Sequence, residues 1–161
     1  MNTVLDSMIS FAATGEIGAF RLGMSGEEAD LLLGGGTDLT ALAAPSPGGA
    51  VGFKDGSLEM WVDPDLTVCL LGFDAVDVEG RFAAPSRIGV ADRAVIQAPS
   101  RETVINRLEQ LGCAWRRDDT LTFDHQFAIR TEADVSMVFT RPEPPTNEWV
   151  LASLYRSASR Y

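Results

Sequence analysis

Cysteine and histidine are scarce in this sequence of 161 residues, which contains two cysteines and one histidine. These residues cannot supply the ligand set of a standard structural zinc site. Cys69 and Cys113 each lie among apolar neighbours, so we expect two buried free thiols. A disulfide between them is the alternative, although a reducing compartment would disfavour it.

Long apolar runs are also missing. No stretch of about 18 consecutive apolar residues occurs, so the sequence predicts no transmembrane helix. The N-terminal segment has neither the basic start nor the apolar stretch of a signal peptide, and it has no lipid-accepting cysteine. We therefore expect a cytoplasmic protein. With 45% hydrophobic and 22% charged residues, the composition is that of an ordinary globular chain.

Basic residues are nearly absent from the first half of the chain. Residues 1–80 contain only Arg21 and Lys54 against 13 acidic residues, whereas residues 81–161 contain 11 arginines against 10 acidic residues. The net charge of −10 therefore belongs entirely to the first half. Such a field repels nucleic acid and anionic membranes and would attract a basic protein. The simpler alternative is that the acidity only keeps the protein soluble.

Three helices are predicted from apolar spacing and capping signals. Ser25 and Ser100 are the predicted caps of the second and third helices, and Glu28 is placed to complete a capping box with Ser25. Glycines at 15, 34–36 and 112 would end the three helices. The predicted ranges are 2–12 for the first helix, the stretch from Ser25 to Gly34 for the second, and 101–111 for the third.

A β-meander is predicted after each of the last two helices. In the first meander, Asp55-Gly56 predicts a hairpin turn because this pair tolerates positive φ, and Asp63-Pro-Asp65 predicts a second turn. The predicted strands are 51–53, 57–62 and 67–73 in the first half, and 120–123, 126–131, 135–140 and 149–155 in the second. A short strand or extended lead-in is predicted at 19–22, a similar lead-in at 95–98, and an edge strand at 87–90.

The two halves repeat one order of parts: a lead-in, a serine-capped helix that ends in leucine and glycine, and a β-meander. One helix on one small sheet buries little surface, whereas two copies packed together bury much more. We therefore predict an α+β fold of two tandem related units, each a capped helix packed on an antiparallel β-meander. Residues 1–78 would hold the N-terminal helix and the first unit, and residues 79–161 the linker and the second unit, together in one compact domain.

The strand that ends at Val62 supplies the main candidate for a binding surface. Alternation places Leu58 and Met60 with Val62 on the core side, and Glu59 and Trp61 on the other side. Because tryptophan often carries binding energy at interfaces, an indole among carboxylates suits a basic protein partner. The simpler alternative is that a helix covers this face and Trp61 belongs to the core. The predicted partner-binding residues are Glu59, Trp61, Asp63, Asp65, Asp74 and Asp77.

Other polar groupings are weaker candidates, and no catalytic site is visible. Asp63-Pro-Asp65 and Asp118-Asp119 lack the spacing of a calcium loop and are interpreted as solvated turns. Asp124-His125 has no serine or cysteine nucleophile nearby in sequence, so the histidine is interpreted as a turn or surface residue. The run Gly34-Gly-Gly36 follows a helix, which is the wrong end for a phosphate cradle. Arg116-Arg117 is too small a basic spot to indicate nucleic-acid binding. We predict no enzyme activity, metal or cofactor.

Three stretches of the first half form a recognisable pattern: Arg21-Leu-Gly-Met-Ser-Gly-Glu-Glu-Ala-Asp-Leu-Leu-Leu-Gly34, Phe53-Lys-Asp-Gly-Ser-Leu-Glu-Met60 and Val68-Cys-Leu-Leu-Gly-Phe73. The pattern resembles that of small cytoplasmic proteins of actinobacteria and other bacteria, many of them suspected immunity proteins of polymorphic toxin systems. The resemblance covers residues 19–74, and the second half matches as a diverged copy. The helix-start motif also resembles that of outer-membrane assembly lipoproteins, whose signal sequence and lipid-bearing cysteine are missing here.

The resemblance implies a protein that binds a cognate toxin and performs no chemistry of its own. Together with the acidic first half, it predicts an immunity protein for a basic toxin domain, most naturally a nuclease, whose site must hold phosphate. The expected partner is a protein and neither nucleic acid nor membrane. Two alternatives stay open: a non-enzymatic scaffold or adaptor, for example a homodimer formed through a sheet edge, and a small-molecule binder with a pocket between the two units.

Overall fold

The computed structural model describes residues 3–36, 49–87, 94–142 and 147–158, and these residues form an α+β fold. The helices are α1 (Val4–Thr14), α2 (Gly26–Leu32) and α3 (Arg101–Gln110). The strands are β1 (Val51–Asp55), β2 (Leu58–Val62), β3 (Val68–Asp74), β4 (Arg81–Phe82), β5 (Ile96–Gln97), β6 (Trp115–Arg117), β7 (Gln126–Thr131), β8 (Ser136–Thr140) and β9 (Val150–Ser157). No helix of the described ranges is long and apolar enough to cross a membrane.

Seven of the strands form one antiparallel sheet in the order β1-β2-β3-β9-β8-β7-β6. The last strand of each meander lies at the centre, where β3 pairs with β9 from Leu70↔Ser157 to Asp74↔Ser153. β4 and β5 form a separate two-stranded ladder. The two predicted meanders therefore belong to one continuous sheet.

Capping follows the sequence signals with one exchange. Ser25 and Ser100 each accept a backbone N–H, from Glu28 and Thr103 respectively. The Glu28 carboxylate, however, forms an ion pair with Arg21 at 3.4 Å. The reciprocal capping box occurs at α1 instead, where Thr3 and Asp6 each accept from the other's backbone N–H.

One apolar core joins the helices to a single face of the sheet. Helix α1 buries Met8 and Phe11, and α3 buries Val104 and Leu108, whereas α2 buries only Gly26 and Ala29. The ring of Phe11 meets that of Phe73 from β3 edge-on, with centroids 6.0 Å apart. The sheet contributes the fully buried residues that alternation predicted for β2, namely Leu58, Met60 and Val62.

The strand predictions for 51–53, 57–62, 67–73, 126–131, 135–140 and 149–155 are confirmed with small shifts in their ends. Two strand predictions are wrong. Residues 19–22 are not a strand, because Ile17 and Phe20 bond to each other across a tight turn. Residues 120–123 form turns ahead of β7, and the strand that pairs with β7 on that side is β6. The predicted edge strand at 87–90 falls mainly outside the described residues.

Both cysteines are buried free thiols, as the sequence predicted. Burial raises the pKa of the Cys69 thiol, and it also raises that of Cys113. A thiol kept protonated in this way is a poor nucleophile and metal ligand.

Candidate binding surface on the open face of the sheet

One face of the sheet carries the helices, and the other face is only partly covered. Residues that alternate with the core positions of β1, β2, β3 and β9 point to this second face. In the part of the chain that the structure describes, no helix packs over them. We call this surface the open face; its residues are Gly52, Lys54, Glu59, Trp61, Leu70, Gly72, Asp74, Ser153, Tyr155 and Ser157.

Trp61 is the largest side chain of the open face. It is half-buried and lies outside the buried core cluster, so the alternative that it belongs to the core is wrong. Its indole Nε1 donates a hydrogen bond of 2.7 Å to Glu59 Oε1. The ring covers Gly52 on the neighbouring strand, where an added Cβ would lie 3.0 Å from two indole carbon atoms. Trp61 is therefore held flat against the sheet, with part of its ring available to a partner.

Two carboxylates and one lysine surround one end of the open face. Lys54 Nζ lies 3.6 Å from Glu59 Oε2 and 3.3 Å from Asp74 Oδ2. Burial alone would lower the pKa of Lys54, but the two carboxylates outweigh this effect and raise it above its ordinary value. Because one cation serves two anions, the group keeps a net negative charge.

Two shallow hollows lie on the open face, and Leu70 lines both. The first has a volume of about 230 Å³ and sits where β3 meets β9, between Asp74 and Tyr155. The second has a volume of about 430 Å³ and lies beside Trp61 and Cys69. Gly72 also lines the first hollow. No side chain fits at this position, because an added Cβ would overlap the Leu154 carbonyl oxygen and lie 2.8 Å from the Cβ of Tyr155.

The six predicted partner-binding residues fall into two groups. Glu59, Trp61 and Asp74 lie on the open face. The remaining three occupy turns: Asp63 accepts the Thr67 N–H at 3.0 Å in the β2–β3 turn, Asp65 is exposed in the same turn, and Asp77 pairs with Arg81 at 2.7 Å after β3.

The same sheet face is closed over β7 and β8. Residues 118–122 fold across it, and Thr122 Oγ1 accepts the Ala128 N–H at 3.1 Å and donates to the Asp118 carbonyl at 2.7 Å. The Asp118 carboxylate pairs with Arg130 at 3.0 Å. Beneath this segment Ala128 and Val138 are 0% and 8% exposed.

Sequence reasoning missed this cover. It assigned Asp118-Asp119 to a solvated turn, which is wrong for Asp118, only 8% exposed, and right for Asp119, whose side chain is 84% exposed. The signal that could have found it is Asp118 followed by Thr120, because the aspartate accepts both the N–H and the hydroxyl of that threonine.

The residues considered for chemistry do not converge on one another. His125 is exposed in the turn before β7, as predicted. Within the described ranges, no group of three or more histidine, cysteine, aspartate or glutamate side chains could hold a metal ion.

The comparisons with known proteins give no relative for this chain: no family model, no curated protein and no solved structure matches it. Any functional conclusion therefore depends on the residues of this chain and on the surface that they form.

Proposed function

We propose that this protein is a cytoplasmic immunity protein that binds and neutralises a cognate bacterial toxin through the open face, without catalysis. The observation that carries the proposal is the half-buried Trp61, held by Glu59 on a sheet face over which none of the described helices packs. Such an indole offers a partner a large apolar surface that is already ordered, and tryptophan is enriched at binding hot spots. The sequence resemblance to suspected immunity proteins agrees with this assignment.

The charge around Trp61 supports a basic partner. Glu59 and Asp74 share Lys54, and the turn residues Asp63 and Asp65 extend the acidic surface past the far end of β2. The partner in this proposal is a basic toxin domain of the nuclease type. Opposite charges of this kind accelerate association and favour the correct partner over others.

We also propose that the two halves are tandem related units. Both meanders contain a register shift before their last strand, between Trp61 and Val62 and between Val138 and Phe139. Each serine-capped helix also attaches to its own meander with the same pair of backbone bonds. In the first unit, Gly26 N–H donates to the Leu66 carbonyl oxygen at 2.8 Å, and Val68 N–H donates to that of Met24 at 2.9 Å. In the second unit, Arg101 N–H donates to the Trp149 carbonyl oxygen at 2.8 Å, and Leu151 N–H donates to that of Pro99 at 2.9 Å.

The central strand pair supports the same proposal. When the two registers are aligned at their shifts, Gly72 and Tyr155 occupy corresponding positions, and these two residues are also direct partners across β3 and β9. This relation is expected where two copies meet about a local two-fold axis. Gly72, which has no side chain, leaves room for Tyr155 where the two strands meet.

The two alternatives have less support. A small-molecule site between the units would use one of the two hollows. The hollow beside Tyr155, at about 230 Å³, is smaller than the roughly 300–1,000 Å³ typical of ligand pockets. The hollow beside Trp61, at about 430 Å³, is large enough, but apart from Trp61 and Cys69 its lining offers only the Ser157 hydroxyl as a polar side chain. A homodimer formed through a sheet edge would use β1 or β6. Lys54 on β1, and Arg116 with Arg117 on β6, place charges that disfavour edge pairing.

A growth-protection experiment tests the proposal. The chain is co-expressed with each candidate toxin domain encoded beside its gene, and cell survival and complex formation are measured. We expect protection against one basic toxin domain, and loss of protection when Glu59→Lys and Asp74→Lys are combined.

The matched control combines Glu16→Lys with Glu27→Lys, which changes the net charge equally at exposed first-half positions away from the open face. Full protection by the control with none by the Glu59 and Asp74 variant supports the proposal. Equal losses in the two variants, or protection that survives both, would contradict it.

A further inference from the structure

A cluster of arginines and aromatic rings lies in the second half, on the helix side of the sheet. The rings of Phe127 and Trp149 have centroids 6.1 Å apart. The guanidinium carbons of Arg101 and Arg117 lie 4.9 and 5.9 Å from the Phe127 centroid, and that of Arg141 lies 4.5 Å from the Trp149 centroid. We call these five residues the arginine–aromatic cluster.

The cluster is built on ordered elements. Phe127 belongs to β7, and both rings are partly buried against the core. Arg101 is the first residue of α3, and its N–H donates to the Trp149 carbonyl at 2.8 Å. The rings therefore hold the guanidinium groups close to the sheet before any ligand arrives, so we expect less side-chain entropy to be lost on binding.

The three arginines of the cluster differ in their ion pairing. Arg117 pairs with Asp119, whose side chain is 84% exposed. Among the described residues, Arg101 and Arg141 form no ion pair within 4.0 Å, although Glu102 and Glu148 adjoin the cluster in sequence.

We propose that the arginine–aromatic cluster is a docking surface for an acidic segment of a second protein. Carboxylates of that segment would accept hydrogen bonds from the guanidinium N–H groups, and its apolar side chains would cover Phe127 and Trp149. This inference concerns a surface away from the open face and does not depend on the proposed function.

An acidic protein segment fits better than nucleic acid, which also uses arginines and aromatic rings. A nucleic acid is a long and dense polyanion, and the first half of this chain carries a net charge of −11 that would repel it. A short acidic segment needs to approach only the cluster, so it meets less of this repulsion.

Fluorescence anisotropy at low salt tests the proposal with a labelled oligoglutamate peptide of about ten residues. We expect saturable binding by the wild-type chain, and an affinity roughly tenfold lower when Arg101→Gln and Arg141→Gln are combined. The matched control combines Arg87→Gln with Arg116→Gln, which removes the same charge from exposed positions outside the cluster, and its affinity should change less than about twofold.

A single variant and two further ligands complete the test. Arg141→Gln alone removes an exposed side chain, so it gives a result even if the double variant unfolds. An oligolysine peptide and a short DNA duplex serve as other ligands. Absence of oligoglutamate binding, tighter binding of the DNA, or equal losses in the cluster and control variants would overturn the proposal.

Discussion

The same sheet face is open in the first half and closed in the second. When the strands are aligned at their register shifts, Trp61 corresponds to Val138 and Gly52 to Ala128. Trp61 covers Gly52 and is half-exposed, whereas residues 118–122 cover Val138 and Ala128. One strand arrangement thus supports two different surfaces.

The difference follows from the side chains that each half places on this face. In the second half, small side chains on the sheet let the 118–122 segment lie close and satisfy its polar groups with local hydrogen bonds. In the first half, Trp61 occupies the position of Val138, and its indole bonds to the Glu59 carboxylate. A large half-buried aromatic side chain with a polar neighbour is typical of binding surfaces, and Trp61 is not part of the buried core.

The largest expected effect comes from opening the closed half. Asp118→Ala removes a buried carboxylate that pairs with Arg130 and accepts two hydrogen bonds from Thr120. We expect a loss of about 3 kcal/mol in the free energy of unfolding, measured by urea denaturation. Asp119→Ala is the control, and its exposed side chain should change this free energy by less than about 0.5 kcal/mol. Similar losses in both variants would mean that the 118–122 segment does not depend on its buried carboxylate.

The pH dependence of stability checks the same group. Hydrogen bonding from Thr120 outweighs desolvation and, with Arg130, keeps the pKa of Asp118 below its ordinary value. A carboxyl group with a lowered pKa in the folded state stabilises the protein above its unfolded-state pKa, and this stabilisation is lost as the pH falls through the folded-state value. The wild-type chain should therefore lose more unfolding free energy than Asp118→Asn on acidification below about pH 4.

An intermediate effect is expected from alanine substitutions at Trp61 and Val138, which occupy corresponding positions in the two halves. Under the proposed function, Trp61→Ala should cost about 2 kcal/mol of binding free energy, roughly 30-fold in Kd, with a smaller loss of stability. Val138→Ala should do the reverse, because it removes buried apolar volume and leaves the open face intact. Calorimetric titration with the toxin domain and urea denaturation separate the two; parallel losses of binding in both variants would remove the distinction between the two halves.

The smallest effect is expected from Lys54, the cation that serves Glu59 and Asp74. Lys54→Met frees both carboxylates, so a basic partner should bind about threefold more tightly, while stability changes by less than about 1 kcal/mol. Arg21→Met makes the same change of charge at an exposed ion pair away from the open face and should leave binding unchanged. Weaker binding by Lys54→Met would show that the lysine itself contacts the partner.

Local signals predicted much of the fold. Ser25 and Ser100 start helices, and alternation in β2 separates Met60 from Trp61, because both effects act within a few residues. The segment 120–123 was assigned wrongly, since threonine and phenylalanine favour a strand when no competing hydrogen bond is considered. Its actual partners, Ala128 and Gln126, lie further along the chain. For the candidate site, the sequence named Glu59, Trp61 and four further acids. Of these acids Asp74 joins Glu59, through Lys54, which the sequence had not indicated as a site residue.

The sequence by itself determined the Ser25 and Ser100 caps, the core side of β2 and the restriction of acidic excess to the first half, because each depends on neighbouring residues or on composition. Only the tertiary structure decided that β3 pairs with β9, that Lys54 and Asp74 meet Glu59, and that one half of the sheet face is closed. These arrangements bring together residues distant in sequence, and their stability is a sum of many long-range contacts. No local pattern encodes such a sum.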